Sequence, residues 1–277
     1  TGKEDLKTAQ EAKMDLVCRK LQLKPGETHL DIGCGWGTLA RYSAKNYGVK
    51  SLGVTIAEKQ TEYAMGKIAD EGLVGKAEVL CKDYRDITNQ KFDKISCLEM
   101  AEHVGVKNFQ KFINQVRDLL NDDGVFYLQI AGLRAGFHFE DLVWGLFMSK
   151  YIFSGADASM PLAFVVKALE KAGLEVHSVE NVGIHYSATI KRWYDNWMKN
   201  RDSVLAAYGD RWFRIWEVFL GWSVIIARQG SSTCFQIVSN KNLDAFDRTR
   251  WFGEDALGER SRPHTPGKTP SKPRAEA

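Results

Sequence analysis

The sequence predicts an α/β protein on a doubly wound, mostly parallel sheet of seven strands. Short apolar runs alternate with longer amphipathic ones, a glycine-rich turn joins the first such pair, and 277 residues at 44% hydrophobic content suffice for one large core. Strands alternating with helices imply right-handed crossovers, which cover both faces of a parallel sheet.

Residues 4–22 place Leu6, Met14, Val17, Cys18 and Leu21 at helical intervals among charges until Pro25-Gly26 stops the pattern, so an entry helix is predicted. Strands over 29–33, 51–56 and 77–82 then alternate with helices over 39–47 and 58–71. A strand over 94–100, a helix over 109–120 and a strand over 125–131 follow. The rhythm breaks over 132–160, an aromatic and glycine-rich stretch without a clear strand, which predicts an inserted cap. A helix over 161–172 and a strand over 174–182 resume it. A second helical cap over 189–228 carries five of the eight tryptophans, and a strand over 234–239 completes the set. Residues 1–246 make one domain. From about residue 247 the chain holds four of its six prolines among Arg, Lys and Ser, too little apolar area to offset ordering entropy, and a disordered tail is predicted.

Composition excludes several function classes. The 38 basic and 35 acidic residues leave +3 with no long basic run, so no nucleic-acid partner is implied. Five cysteines without a C-x-x-C pair predict free thiols in a reducing, cytosolic compartment. Six histidines show no metal-ligand spacing. No apolar run approaches the roughly 18 residues of a spanning helix.

The most specific local signal is Leu30-Asp31-Ile32-Gly33-Cys34-Gly35-Trp36-Gly37, following His29. Its glycines allow a sharp turn and let a ligand lie on the backbone. A dinucleotide fingerprint would need glycine at position 38, which is Thr38. With Gly37 instead, and Asp31 ahead of the turn to take an ammonium group, the loop suits S-adenosylmethionine better than a pyrophosphate; a plain tight turn is the alternative. Two features stand where this fold reads a nucleoside. Thr55-Ile56-Ala57-Glu58-Lys59-Gln60 ends the second strand near the spacing at which a polar side chain meets ribose. Asp83-Tyr84-Arg85 ends the third, offering a carboxylate and a ring to adenine, or simply a turn with a surface ion pair.

From about Glu11 to Leu243 the chain resembles the cyclopropane-fatty-acyl-phospholipid synthase family of class I methyltransferases, and within it the fungal sphingolipid C9-methyltransferases. The resemblance lies in the glycine loop, Gly53-Val54-Thr55-Ile56 with Gln60, Asp83-Tyr84-Arg85, Glu99-Met100-Ala101-Glu102-His103-Val104-Gly105, Leu128-Gln129-Ile130-Ala131-Gly132 and His185-Tyr186-Ser187-Ala188-Thr189. It implies methyl transfer from S-adenosylmethionine to C9 of a Δ8-unsaturated sphingoid base in glucosylceramide. Alkene attack on the methyl leaves a carbocation, which the site must shield from water and deprotonate at a chosen position. Aromatic faces stabilise a buried cation by roughly 0.5–2 kcal/mol each. The pairs Trp193/Trp197 and Trp212/Trp216, four apart, allow that role or ordinary helix packing.

The resemblance further implies a bound bicarbonate as base, held at positions that fall on Glu102, Gln129, Ala131 and Tyr186. Gln129 replaces the usual histidine, so the anion site is altered. With Glu102, it is expected to relocate or replace the anion and to favour a branched alkene over a cyclopropane. Ser223 stands where relatives have a cysteine often named catalytic, although this chemistry needs no covalent intermediate. The resemblance also implies that the chain, which opens at Thr1, is the soluble catalytic part of a larger membrane-anchored protein, lacking an upstream cofactor lid and impaired alone. Residues 134–150, with Phe137, Phe139, Leu142, Val143, Trp144, Leu146 and Phe147 among few charges, are expected either to draw lipid from a bilayer or to pack as core. Two readings stay open beside the C9-methyltransferase: a cyclopropane synthase acting on phospholipid acyl chains, and a lipid-binding module of the same fold without turnover. The residues are silent on oligomeric state.

Overall fold

The expected alternation is realised as α1 (Leu6–Lys20), β1 (Thr28–Ile32), α2 (Thr38–Tyr47), β2 (Lys50–Thr55), α3 (Glu58–Asp70), β3 (Ala77–Cys81), β4 (Phe92–Leu98), α4 (Val106–Leu119) and β5 (Leu120–Leu133). Then come α5 (Phe139–Tyr151), α6 (Leu162–Lys171), β6 (Leu174–Asn181), α7 (Gly183–Lys199), α8 (Arg201–Gln229) and β7 (Ser232–Lys241). This computed structural model describes residues 4–136, 138–155 and 159–251. Part of the first expected cap (137 and 156–158) and most of the expected tail (252–277) lie outside the described residues.

All seven strands form one sheet in the order β3-β2-β1-β4-β5-β7-β6, with only β7 antiparallel to its neighbours β5 and β6. Strand order reverses between β1 and β4, which opens a crevice at their carboxyl ends. Leu30, Ile95, Phe126, Leu128 and Ile130 are fully buried in the central strands, as expected where helices cover both faces. Helix α4 shows why these residues fold as they do. Phe109, Phe112, Ile113, Val116 and Leu119 recur at helical spacing and are all buried against the sheet, each contributing about 1.5–3 kcal/mol.

Several boundaries differ from expectation for local reasons. Strand β4 stops at Leu98, not residue 100, because Glu99 takes a left-handed φ of 57°. The second cap begins at Gly183 rather than 189 and is two helices, and Gly209 interrupts α8 with φ 78° and ψ 166°. Helix α5 was hidden in the sequence because both its faces are apolar. Trp144 is buried, packing on Trp222 at 4.8 Å between ring centroids, whereas Phe139, Leu142, Val143 and Leu146 are exposed. Core packing and an outward apolar surface therefore coexist on one helix. Among the cap tryptophans, Trp197 packs against Phe213 and Trp216, and Trp193 and Trp212 are about half exposed.

Residues from Asp247 onward form a separate unit. Within it Arg248–Trp251 is a 3-10 turn, capped by Asp247, which accepts from the Thr249 amide at 2.9 Å.

Candidate active site

A cavity of about 660 Å³ opens at the crevice between β1 and β4, within the roughly 300–1,000 Å³ usual for small-molecule sites. One end is the glycine loop, walled by Gly33 and Gly35. Gly33, at φ 76°, lies so close to Met100 that an added Cβ would sit 2.5 Å from its Cβ. Gly35 has the opposite surroundings: at φ 54°, a Cβ there would meet no protein atom within 4 Å. Its missing side chain leaves backbone open to a ligand, not room for packing.

Other loop residues assigned to a ligand from sequence lie elsewhere. His29, Leu30, Asp31 and Ile32 are buried in β1, a strand covered on both faces, and are absent from the cavity wall. Asp31 is thus not placed to take an ammonium group directly. Its carboxylate accepts from Ser96 Oγ at 2.6 Å, and Ser96 also meets His29 Nε2 at 2.9 Å. Burial pushes the Asp31 carboxyl up to about 6 and the His29 imidazole down to about 3. Cys34 packs against Gly53, Trp36 is half exposed and meets Tyr63 edge-on, and Gly37 starts α2 against Ala64. These residues shape the loop from behind.

The nucleoside-reading positions divide similarly. Thr55, Ile56, Ala57 and Gln60 line the cavity, with Thr55 Oγ1 donating to Gln60 Oε1 at 2.9 Å and so leaving the amide nitrogen of Gln60 for a ligand. Glu58 and Lys59 point to solvent, where Lys59 pairs with Glu62 at 2.9 Å. Asp83, Tyr84 and Arg85 are all in the wall. The triplet also forms the surface ion pair, Arg85 forking onto the Asp83 carboxylate at 2.6 and 2.9 Å. That hydrogen bond holds Asp83 below the usual carboxylate range.

The catalytic candidates gather beside the other part of the cavity. Tyr186, in the first turn of α7, donates to Glu99 Oε2, and the Gln129 amide donates to Glu99 Oε1. Glu102 accepts from the Ala131 amide at 3.4 Å, while its second oxygen is buried without a hydrogen bond. Glu102 and Tyr186 are close enough for the carboxylate to bear on the phenol, which is raised well above its usual value by burial first and then by Glu99. The phenol keeps its proton and acts as donor. Ser223 is an exception: it is buried on α8 and is not part of the cavity wall.

Glu99 is a cavity-wall residue that sequence reasoning did not single out. It belongs to the cavity wall, whereas Glu102, Gln129 and Tyr186 stand behind it. Its amide donates to the Gln129 carbonyl at 2.8 Å, so β5 holds its backbone as well as its side chain. The sequence signal was a second acid three residues before Glu102, at the end of a strand. The wall also includes Met100, His103, Asn108 and Lys111 from the segment after β4.

The orientation of Gln129 is fixed from farther away. Its Oε1 accepts from Tyr127 Oη at 3.2 Å and Gln236 Nε2 at 3.1 Å, which turns Nε2 toward Glu99. Gln236 is held in turn by Lys20 Nζ at 2.6 Å, and Lys20 also meets Glu180 at 2.5 Å. A chain of side chains thus crosses from α1 through β7 and β5 to the cavity.

Burial raises the Glu102 carboxyl from 4.5 to about 7. Between those values the folded chain holds a proton that the unfolded chain has released, so this group's contribution to stability falls as pH rises, by about 3 kcal/mol in all. Glu102→Gln removes that loss. Its melting temperature relative to the parent is expected to climb from about pH 5 to about pH 8; a difference independent of pH would refute a buried, reluctant carboxylate.

A family model described as mycolic acid cyclopropane synthetase matches residues 1–237. The chain belongs to this family. Among other family proteins, the sphingolipid C9-methyltransferase of Komagataella phaffii is 56% identical over 258 residues, 90% of this chain and 53% of that protein. Sphingolipid C9-methyltransferase B of Emericella nidulans is 53% identical over 246 residues, 88% of this chain and 48% of that protein. The cyclopropane-fatty-acyl-phospholipid synthase of Escherichia coli is 33% identical over 241 residues, covering 87% and 60%. The chain spans about half the length of the sphingolipid relatives. Among solved structures, the cyclopropane synthase MmaA2 from Mycobacterium tuberculosis superposes with a TM-score of 0.82 at 23% identity, covering 86% of each chain. The cyclopropane synthase fold is therefore the fold of this family member.

Proposed function

We propose that the chain catalyses methyl transfer from S-adenosylmethionine to C9 of a Δ8-unsaturated sphingoid base, leaving a 9-methyl alkene. The observation that carries this reading is the 56% identity over 258 residues to a protein named sphingolipid C9-methyltransferase. The cavity chemistry supports it. The related cyclopropane synthase CmaA1 was solved with S-adenosylhomocysteine, and here the open backbone at Gly35, the Gln60 amide and the Asp83-Tyr84 pair fit such a nucleoside. When bound, S-adenosylmethionine supplies an electrophilic methyl. Gly33 and Gly35 let it approach the strand ends, Gln60 offers a donor to ribose hydroxyls, and Tyr84 offers a ring to adenine. Glu99, in the cavity wall, then offers its carboxylate to an electron-deficient carbon, where low polarity strengthens the attraction.

The test is mass spectrometry of sphingoid bases from cells with and without the protein, followed by hydrogenation. A gain of one CH₂ in a base that still takes up hydrogen at the 8,9 bond is expected. A gain that resists mild hydrogenation indicates a cyclopropane and refutes the C9-methyl alkene.

The lipid substrate reaches the site from a bilayer in this proposal, with the domain lying in a cytosolic, reducing compartment. No helix among the described residues is long and apolar enough to cross a membrane. The outward face of α5, with Phe139 73% and Leu146 62% exposed, offers an apolar contact to a lipid surface instead. Replacing both residues by Asp is expected to lower co-flotation with phosphatidylcholine vesicles carrying glucosylceramide by about tenfold or more. Unchanged flotation would remove this face from lipid capture.

A further inference from the structure

The groups that would hold a bicarbonate base are already occupied by side chains of this chain. The two side-chain donors of that set, the Gln129 amide and the Tyr186 hydroxyl, both end on the carboxylate of Glu99. The main-chain donor, the Ala131 amide, ends on Glu102. Glu102 adds only a carboxyl group, whose second oxygen is buried without a hydrogen bond. The two side-chain donors that would hold such an anion are thus already engaged by the carboxylate of Glu99.

We propose that Glu99 is the base of the reaction, a covalently tethered carboxylate in the position of an exchangeable anion. The inference rests on the methyl-transfer reading above and adds the residue that ends the reaction. Three observations carry it. Glu99 is the acidic member of the cluster that reaches the cavity wall, and it shares that wall with the glycine loop. Each of its oxygens accepts one hydrogen bond, leaving lone pairs on both for a proton. Its backbone sits at φ 57°, a conformation that costs a non-glycine residue roughly 1–2 kcal/mol, and a main-chain bond to Gln129 holds it there.

The chemistry balances without a further reagent. The alkene π pair forms the bond from C9 to the methyl carbon, while the methyl–sulfur bond breaks with its pair retained on sulfur. The cation is left at C8. The C9 hydrogen then departs as a proton to Glu99, and its bonding pair restores the double bond between C8 and C9. A hydrogen beside a carbocation is so acidic that base strength matters little, and position decides which hydrogen is lost. A tethered carboxylate clamped by Gln129 and Tyr186 has one position, whereas a diffusible anion depends on occupancy.

The test uses the purified full-length protein with glucosylceramide in detergent. Wild-type turnover is expected to be unchanged in argon-purged, bicarbonate-free buffer. Glu99→Gln is expected to lower turnover about 10³-fold, with binding of S-adenosylhomocysteine by calorimetry unaltered. Glu99→Gly, which relieves the backbone conformation and vacates the carboxylate, is expected to regain part of its rate with added formate or bicarbonate. Wild-type activity that disappears without bicarbonate and returns with it overturns the role of Glu99, and so does a Glu99→Gln enzyme at full rate. A wild-type protein that binds the nucleoside but methylates no sphingolipid overturns the underlying function as well.

Discussion

Gly33→Ala is expected to lose nucleoside binding and much of its thermal stability together. The new Cβ would fall 2.5 Å from both Cβ and Cγ of Met100. The Cγ can swing aside with the flexible thioether chain, but the Cβ is fixed to the backbone that follows Glu99. Alanine at φ 76° adds strain of roughly 1–2 kcal/mol, and overpacking about 1–3 kcal/mol more. The sum predicts a fall in melting temperature on the order of 10 °C. Relief requires the loop or the start of the Met100 segment to move, and both wall the cavity. Calorimetric titration with S-adenosylhomocysteine should show affinity reduced by about a hundredfold, which is on the order of 3 kcal/mol. Unchanged affinity with a lowered melting temperature would mean that Gly33 serves packing alone.

Tyr186→Phe is expected to reduce turnover about 10²-fold, the scale of losing one donor aimed at a reactive oxygen. The hydroxyl meets Glu99 and is not in the cavity wall, so the loss should fall on kcat while KM for the lipid stays put. Leaving one carboxylate oxygen short of its donor also costs about 1–3 kcal/mol of stability. A rise in KM with kcat preserved would place the phenol against substrate and contradict the arrangement described here.

How much of this was legible in the sequence follows from the range of each interaction. Periodicity is local, so the strand and helix alternation through β5 was readable, and the spacing of Phe109, Phe112, Ile113 and Val116 marked α4 directly. The turn at Gly33 to Gly37 was equally local, and it marked the end of the sheet where the cavity lies. Helix α5 escaped because Trp144 and Leu146 face opposite environments, which erases a one-sided pattern. The partnership of Glu99 was beyond reach for a different reason. Gln129 and Tyr186 lie 30 and 87 residues away in sequence, and only the sheet order, with β5 next to β4, brings the first of them alongside. Glu102 drew attention through its diagnostic neighbours. The structure moves the emphasis to Glu99, since the strand ends there and the chain turns into the left-handed region.

The row formed by Lys20, Gln236 and Gln129 has a consequence for how acid and base travel through the molecule. A carboxamide neither gains nor sheds a proton in the working pH range, so two successive amides make this row a strut that sets angles and an insulator against charge migration. A proton taken up by Glu99 in the proposed reaction would therefore not leave along this row toward the entry helix.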